Sequence, residues 1–238
     1  MHAITLHSEY VLSVVNIHIT NSFLTTIIVT IFLSMIAMLY SANASGGFIL
    51  FRAIEYVLYT ILKTIDGVTK DRNISKLVLP FIATFFIGIV TANLMGLLPG
   101  FLGAFYISLE GHRVPLLRSP NSDLTTTAAL ACISVMLSQY FSIKLGGWNK
   151  YIKRYFNVSN PLTAFIGFTE LISEAAKLLS FSFRLFGNIF AGEVLLLITG
   201  FLIPYILPIP FMIIEVFVGF IQAYIFALLT LNFITNRS

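Results

Sequence analysis

Charge is scarce in this chain: 10% of its 238 residues are Asp, Glu, Lys or Arg, where a soluble domain carries about 25%. Too few charges are present to cover the surface of a water-soluble globule of this length. One cysteine, Cys132, excludes a disulfide scaffold; lying in an apolar run, it reads as a small packing residue. No GxxxxGK[ST] phosphate loop occurs. The four histidines, His2, His7, His18 and His112, are scattered and form no spaced ligand set, so neither a metal nor a cofactor is expected. No Lys or Arg precedes the first apolar run, which argues for a retained span over a cleavable leader. No internal repeat is present, so an inverted-repeat transporter design gains no support. Disorder needs low hydrophobicity, yet 58% of the residues are hydrophobic and the mean hydropathy is +0.93. A single-domain, all-α, polytopic membrane protein remains. Apolar runs near 20 residues favour spanning helices over barrel strands, which are short and alternating.

The first run covers residues 23–40, followed by 77–98, 124–145, 161–201 and 211–234. Between the first two lies a segment, 48–70, in which Ile54, Val57, Leu58, Ile61 and Leu62 recur at helical spacing with Arg52, Glu55, Lys63 and Asp66 between them. That pattern predicts an amphipathic helix, either lying at the membrane surface or facing a soluble partner. Five crossings put Arg52, Lys63, Lys70, Arg72, Lys76, Lys144, Lys150, Lys153, Arg154 and Arg237 on one side. Only Arg113 and Arg118 fall in loops on the other. The positive-inside rule then sets the N-terminus outside and the C-terminus in the cytoplasm. The net charge of +4 is thus an orientation signal, and no nucleic-acid partner is implied. Pro99, Gly100, Gly103, Gly111, Pro115 and Pro120 mark an irregular outer loop, and Trp148 marks an interface.

The run 161–201 is too long. As one helix it would extend about 60 Å, against a hydrocarbon core of about 30 Å, so it must be strongly tilted, broken or partly outside the bilayer. It also contains Glu170, Glu174, Lys177, Arg184, Asn188 and Glu193. A charge at mid-membrane costs about 2.5–3.5 kcal/mol on the insertion scale, so such residues persist where they pair or line water. At 100° per residue, all but Glu193 share one polar stripe. Thr169, Ser173, Ala176, Ser180, Gly187 and Ala191 run beside it, small enough for another helix to approach closely. Lys177 with Glu170 or Glu174 fits a structural ion pair as well as a pathway. Arg184, ten or more residues from any carboxylate on its stripe, requires a partner from another helix or another chain. In the last run Glu215, Gly219, Gln222 and Phe226 recur on one face. Glu193, Glu215, Gln222 and Asn188 together suit a hydrated passage through half the membrane. A stand-alone ion-coupled transporter and a purely structural anchor are the competing readings.

Residues 182–193 read SFRLFGNIFAGE, and this resembles the signature of subunit a of F-type ATP synthases, in its bacterial and plastid wording. NLMGLLPG at 93–100, SPNSDLTTTAALA at 119–131, FTELISEAAKLLS at 168–180 and IQAYIFALLT at 221–230 agree in the same order. The resemblance implies a proton-translocating, non-catalytic stator subunit with two offset half-channels. It implies as partners the ring of c subunits, the peripheral-stalk subunit b and the lipid bilayer, and a bacterial plasma membrane as location. It implies an interfacial helix, a vertical hairpin and two long tilted helices over 160–202 and 208–236. Carried over by position, Arg184 faces the c-ring carboxylate. Asn188, Glu193, Glu215 and Gln222 line the outer half-channel, and Glu170 and Ser180 the inner one. Asp123 matches a family aspartate at the start of a span. Many members place a His at position 193 or 215; this chain has Glu at both.

Overall fold

A computed structural model describes residues 10–14, 17–42, 49–97, 106–109, 112–115, 118–155, 161–204 and 206–235. His2, His7, Arg237 and the loop positions Pro99, Gly100, Gly103 and Gly111 lie outside them. Among the described residues seven α-helices follow in order: α1 (Asn21–Ala42), α2 (Ile49–Thr69), α3 (Arg72–Leu97), α4 (Leu124–Gly146), α5 (Trp148–Tyr155), α6 (Pro161–Leu202) and α7 (Pro208–Thr235). Five of them, α1, α3, α4, α6 and α7, are long and apolar enough to cross a membrane. Two short antiparallel hairpins interrupt the helical pattern, β1 (Tyr10–Val14) with β2 (Ile17–Thr20), and β3 (Tyr106–Leu109) with β4 (His112–Pro115). The second hairpin occupies the loop that proline and glycine had marked as irregular.

Local chemistry sets the helix ends. Thr20 Oγ1 accepts the Phe23 N–H at 3.3 Å and so caps α1. Asp71 Oδ1 accepts the Asn73 N–H at 2.8 Å, which starts α3 at Arg72, five residues before its apolar run. Hydropathy alone does not see such a polar first turn. Asp123 caps α4 through the Thr125 N–H, and Gly147, at φ 83°, closes it in a conformation that favours glycine. Past that turn α5 forms within a segment that the sequence presented as a connection. Pro208 opens α7, where a missing N–H costs nothing.

The helices pack α3 along α7, α4 along α6, and α6 along α7. Their shared core includes Val78, Ile82 and Ile89 of α3, Leu185 of α6, and Ala223 and Leu231 of α7. The polarity is that of a membrane protein. Large apolar side chains such as Ile31, Met38, Phe165, Phe201 and Phe217 are exposed, while Thr25, Asn93, Ser134 and Thr230 are buried. Lipid gives apolar side chains no reason to collapse inward, so buried hydroxyls and amides joining helices carry part of the packing. Ser134 and Thr230 hydroxyls meet at 2.7 Å between α4 and α7. α6, at 42 residues, extends about 63 Å and exceeds any bilayer core if upright.

Gly96 fixes how closely α3 approaches the segment before α4. A Cβ there would lie 2.6 Å from Ser119 Cβ and 3.3 Å from Ser119 Cα. Backbone cannot swing aside, so Gly96→Ala is expected to destabilise the fold by about 1–3 kcal/mol, the usual cost of overpacking. A thermal melt of the detergent-solubilised protein checks this; an unchanged midpoint would contradict it.

Candidate functional site

α6 presents two different faces. One is exposed and carries Thr169, Ala176, Ser180, Arg184 and Ala191. Arg184 Nη2 donates to Ser180 Oγ at 3.3 Å, one turn away. Among the described residues Arg184 makes no ion pair. Gln222 of α7 borders the same small recess as Arg184, together with Phe181, Leu185 and Phe226. Asn188, one turn beyond Arg184, is half-buried. A permanent cation thus stands beside Ser180 at the exposed edge of the seam between α6 and α7.

Glu193 lies nine residues further on, about 13 Å along the axis and half a turn round. It is 8% exposed and points into the protein. Arg118, just before α4, meets it there: Nη2 and Nε both lie 3.2 Å from Glu193 Oε2. Arg118 Nε also donates to Ser122 Oγ at 3.1 Å. Phe190, one turn before Glu193, sets its ring 5.9 Å from the guanidinium carbon. Glu215 of α7 is equally buried, at 8% exposure, and forms no hydrogen bond among the described residues. Its carboxyl group rests directly on Gly192, where a Cβ would overlap it. Glu193 and Glu215 face one cavity of about 20 Å³, bordered also by Asn93, Gly96 and Ser119; such a space admits about one water molecule.

Amide side chains tie this cavity to its surroundings. Asn121 Nδ2 donates to Asn93 Oδ1 at 2.7 Å, and Asn93 Nδ2 donates to the Gly219 carbonyl at 3.0 Å. Gly219 permits that approach, since a Cβ there would sit 3.1 Å from Asn93 Cβ. Asp123 does not border the cavity. It caps α4 and accepts a hydrogen bond from Ser22 Oγ at 2.8 Å, which fastens α1 to the start of α4.

A second polar cluster lies towards the start of α6. Lys177 Nζ is 3.1 Å from Glu174 Oε1, so of the two carboxylates open to it in the sequence, Glu174 is one it takes. Gln139 Nε2 donates to Glu174 Oε2 at 2.8 Å, and Tyr155 OH donates to Gln139 Oε1 at 3.3 Å. Glu170, half-buried, is about 21 Å from Arg184 along the axis.

The candidate residues therefore occupy separate places. Arg184, Ser180 and Gln222 gather on the outward face, with Asn188 one turn beyond; Glu193 and Glu215 share a small, partly open cavity; Glu170 lies farther back along α6, and Asp123 caps α4. Sequence reasoning missed Asn93, which borders the cavity, and Arg118 and Asn121, which bond Glu193 and Asn93 on its wall. Arg118 counted only as an outer-loop charge, and its partner is 75 positions away. The available signal was its place immediately before the SPNSD segment. Carboxyl groups that face each other across room for a water, with a nearby fixed cation, can accept, hold and release protons.

A family model described as the ATP synthase A chain matches residues 21–235. The chain belongs to the ATP synthase A chain family. It is 32% identical over 231 residues to ATP synthase subunit a of Legionella pneumophila strain Corby, a match covering 96% of this chain and 91% of that one. ATP synthase subunit a of Moorella thermoacetica is 33% identical over 208 residues, covering 87% and 86%. ATP synthase subunit a of Desulforamulus reducens reaches 37% identity over 169 residues, covering 66% and 56%. As a member of the ATP synthase A chain family with five membrane-length helices, the chain is an integral multi-pass membrane protein. The matched range contains every residue of the three clusters above.

Proposed function

We propose that this chain is the non-catalytic stator subunit that carries protons through the membrane sector of a rotary F-type ATP synthase, against a ring of c subunits and alongside the peripheral-stalk subunit b. The supporting observation is the outward position of Arg184, exposed, without an ion pair among the described residues, and bordered by small side chains. The basic segments orient the chain with its C-terminus in the cytoplasm of a bacterium.

In this reading protons enter from outside past Glu193, Glu215, Asn188 and Gln222 and protonate a carboxyl group on the ring. Once neutral, that group can turn into lipid, where its ionised form would cost several kcal/mol. After most of a revolution it reaches a second passage, bordered by Glu170 and Ser180, and releases its proton to the cytoplasm. Arg184 favours that release, because a nearby cation stabilises a carboxylate. A guanidinium does not deprotonate at any accessible pH, so Arg184 cannot pass the proton on. It separates the two passages and draws the ionised ring group toward itself. Each charge crossing 100 mV supplies about 2.3 kcal/mol, delivered as rotation. No covalent bond of ATP is made or broken in this subunit.

Disulfide trapping tests the arrangement. With Cys132→Ser as background, Ser180→Cys should cross-link to a cysteine placed one turn from the ring carboxylate. Such a bond needs Cα atoms within about 7 Å. A cross-linked product on non-reducing gels is expected; its absence under oxidation, in assembled complexes, would refute the docking of this face.

A further inference from the structure

We propose that Arg118 is a positioning residue for proton entry: it holds the Glu193 carboxyl group in place at the cavity shared with Glu215 and offsets one negative charge there. The inference rests on the outer-passage role of that cavity proposed above.

Three elements immobilise Arg118. Its backbone N–H donates to Thr25 Oγ1 of α1 at 3.3 Å. Its Nε is shared between Ser122 Oγ at 3.1 Å and Glu193 Oε2 at 3.2 Å. Phe190 of α6 lies against the guanidinium. At 8% exposure the side chain is buried, so the charge is not screened by bulk water and its geometry is held by packing.

The chain needs such a group because it carries Glu at both 193 and 215. Two carboxyl groups facing one small cavity repel when both are ionised, and burial raises that cost. The charged groups that meet Glu193 are Arg118 in the segment before α4 and, across the cavity, Glu215 on α7. Asp123 is engaged with Ser22 and the α4 N-terminus. Arg118 is the cation in direct contact with either cavity carboxyl group among the described residues. It bonds Glu193 and leaves Glu215 without that restraint. Glu193 is then the anchored wall of the passage and Glu215 the carboxyl group free to reorient over Gly192.

The test is gradient-driven ATP synthesis by intact complexes in inverted membrane vesicles, normalised to assembled complex. Arg118→Gln should lower the rate about tenfold, as expected when a reacting group loses alignment. Arg118→Lys, whose ammonium is kept charged by the adjacent Glu193 carboxylate but lacks the second nitrogen contact, should recover part of it. Combined with Glu193→Gln, Arg118→Gln should add no further loss. A wild-type rate for Arg118→Gln overturns the proposal, as does a Lys variant no better than Gln, or a further tenfold loss in the double variant. If Arg118→Gln does not assemble, the double variant decides. Removing both halves of a buried pair leaves no stranded charge, so restored assembly supports the pairing and continued failure overturns it. Glu193→Gln, read beside Glu215→Gln, separates the two levels. Should it and Glu215→Gln both be fully active, the outer-passage reading itself fails; should Glu193→Gln alone be fully active, the role of Arg118 fails. Should it be slow while Arg118→Gln is not, only the role of Arg118 is lost.

Discussion

Arg184→Ala is expected to reduce gradient-driven ATP synthesis to background while the complex still assembles. The size of the effect follows from electrostatics. A guanidinium about 4 Å from an ionised ring carboxylate, at an effective dielectric constant near 20, is worth about 4 kcal/mol, a factor of about a thousand in an equilibrium. Without it the ring group keeps its proton at the exit, and nothing separates the two passages. Assembly should survive because Arg184, among the described residues, bonds only Ser180 and is exposed on α6; no buried partner among them is stranded by its removal. Arg184→Lys should also fail to restore normal coupling, since an ammonium can lose its proton in a low-dielectric setting and a guanidinium does not. The measurement is ATP synthesis in inverted vesicles under an imposed gradient, with native electrophoresis reporting assembly. Normal synthesis by the Ala variant would remove Arg184 from the centre of the mechanism.

Glu193→Gln and Glu215→Gln should each slow proton passage by about a hundredfold, the lower end of what a positioned acid–base group contributes. Both substitutions keep side-chain size and remove the exchangeable carboxyl proton. They differ in what they leave behind. Glu193→Gln strands Arg118, a buried cation that loses its acid partner, so some loss of stability should accompany the loss of flux. Glu215→Gln strands nothing, because Glu215 has no hydrogen-bond partner among the described residues, and stability should hold. Proton flux into vesicles, read by a pH-sensitive dye, together with thermal melts, distinguishes the two. Unchanged flux in both variants would refute the outer-passage assignment.

The polar residues on α6 show how far periodicity reaches. Counting at 100° per residue separated Arg184 from Glu193, and in the fold one faces outward while the other is buried. Both belong to one continuous helix, so rotation about a single axis is enough. The same counting could not find the Arg118–Glu193 pair, since it joins a non-helical segment to a helix 75 positions later. Nor could it choose between Glu170 and Glu174 for Lys177; the 3.1 Å contact with Glu174 follows from side-chain placement and from Gln139 approaching on α4. α5 was hidden for a related reason. Its eight residues, WNKYIKRY, are polar and aromatic, and hydropathy sees only long apolar runs.

By itself the sequence determined the class of molecule and its spanning helices, because scarcity of charge and the length of apolar runs are properties of the chain, independent of how it packs. It also singled out Arg184, Glu193 and Glu215, since an ionisable group in an oily segment is costly wherever that segment goes. Only the tertiary structure decided which of those charges are matched within the chain. The rotation and spacing of α6 against α7 and against the segment before α4 give Glu193 a cation, set Glu215 on Gly192 and leave Arg184 facing outward. Those distances arise from helix-to-helix packing, which no local pattern of residues encodes.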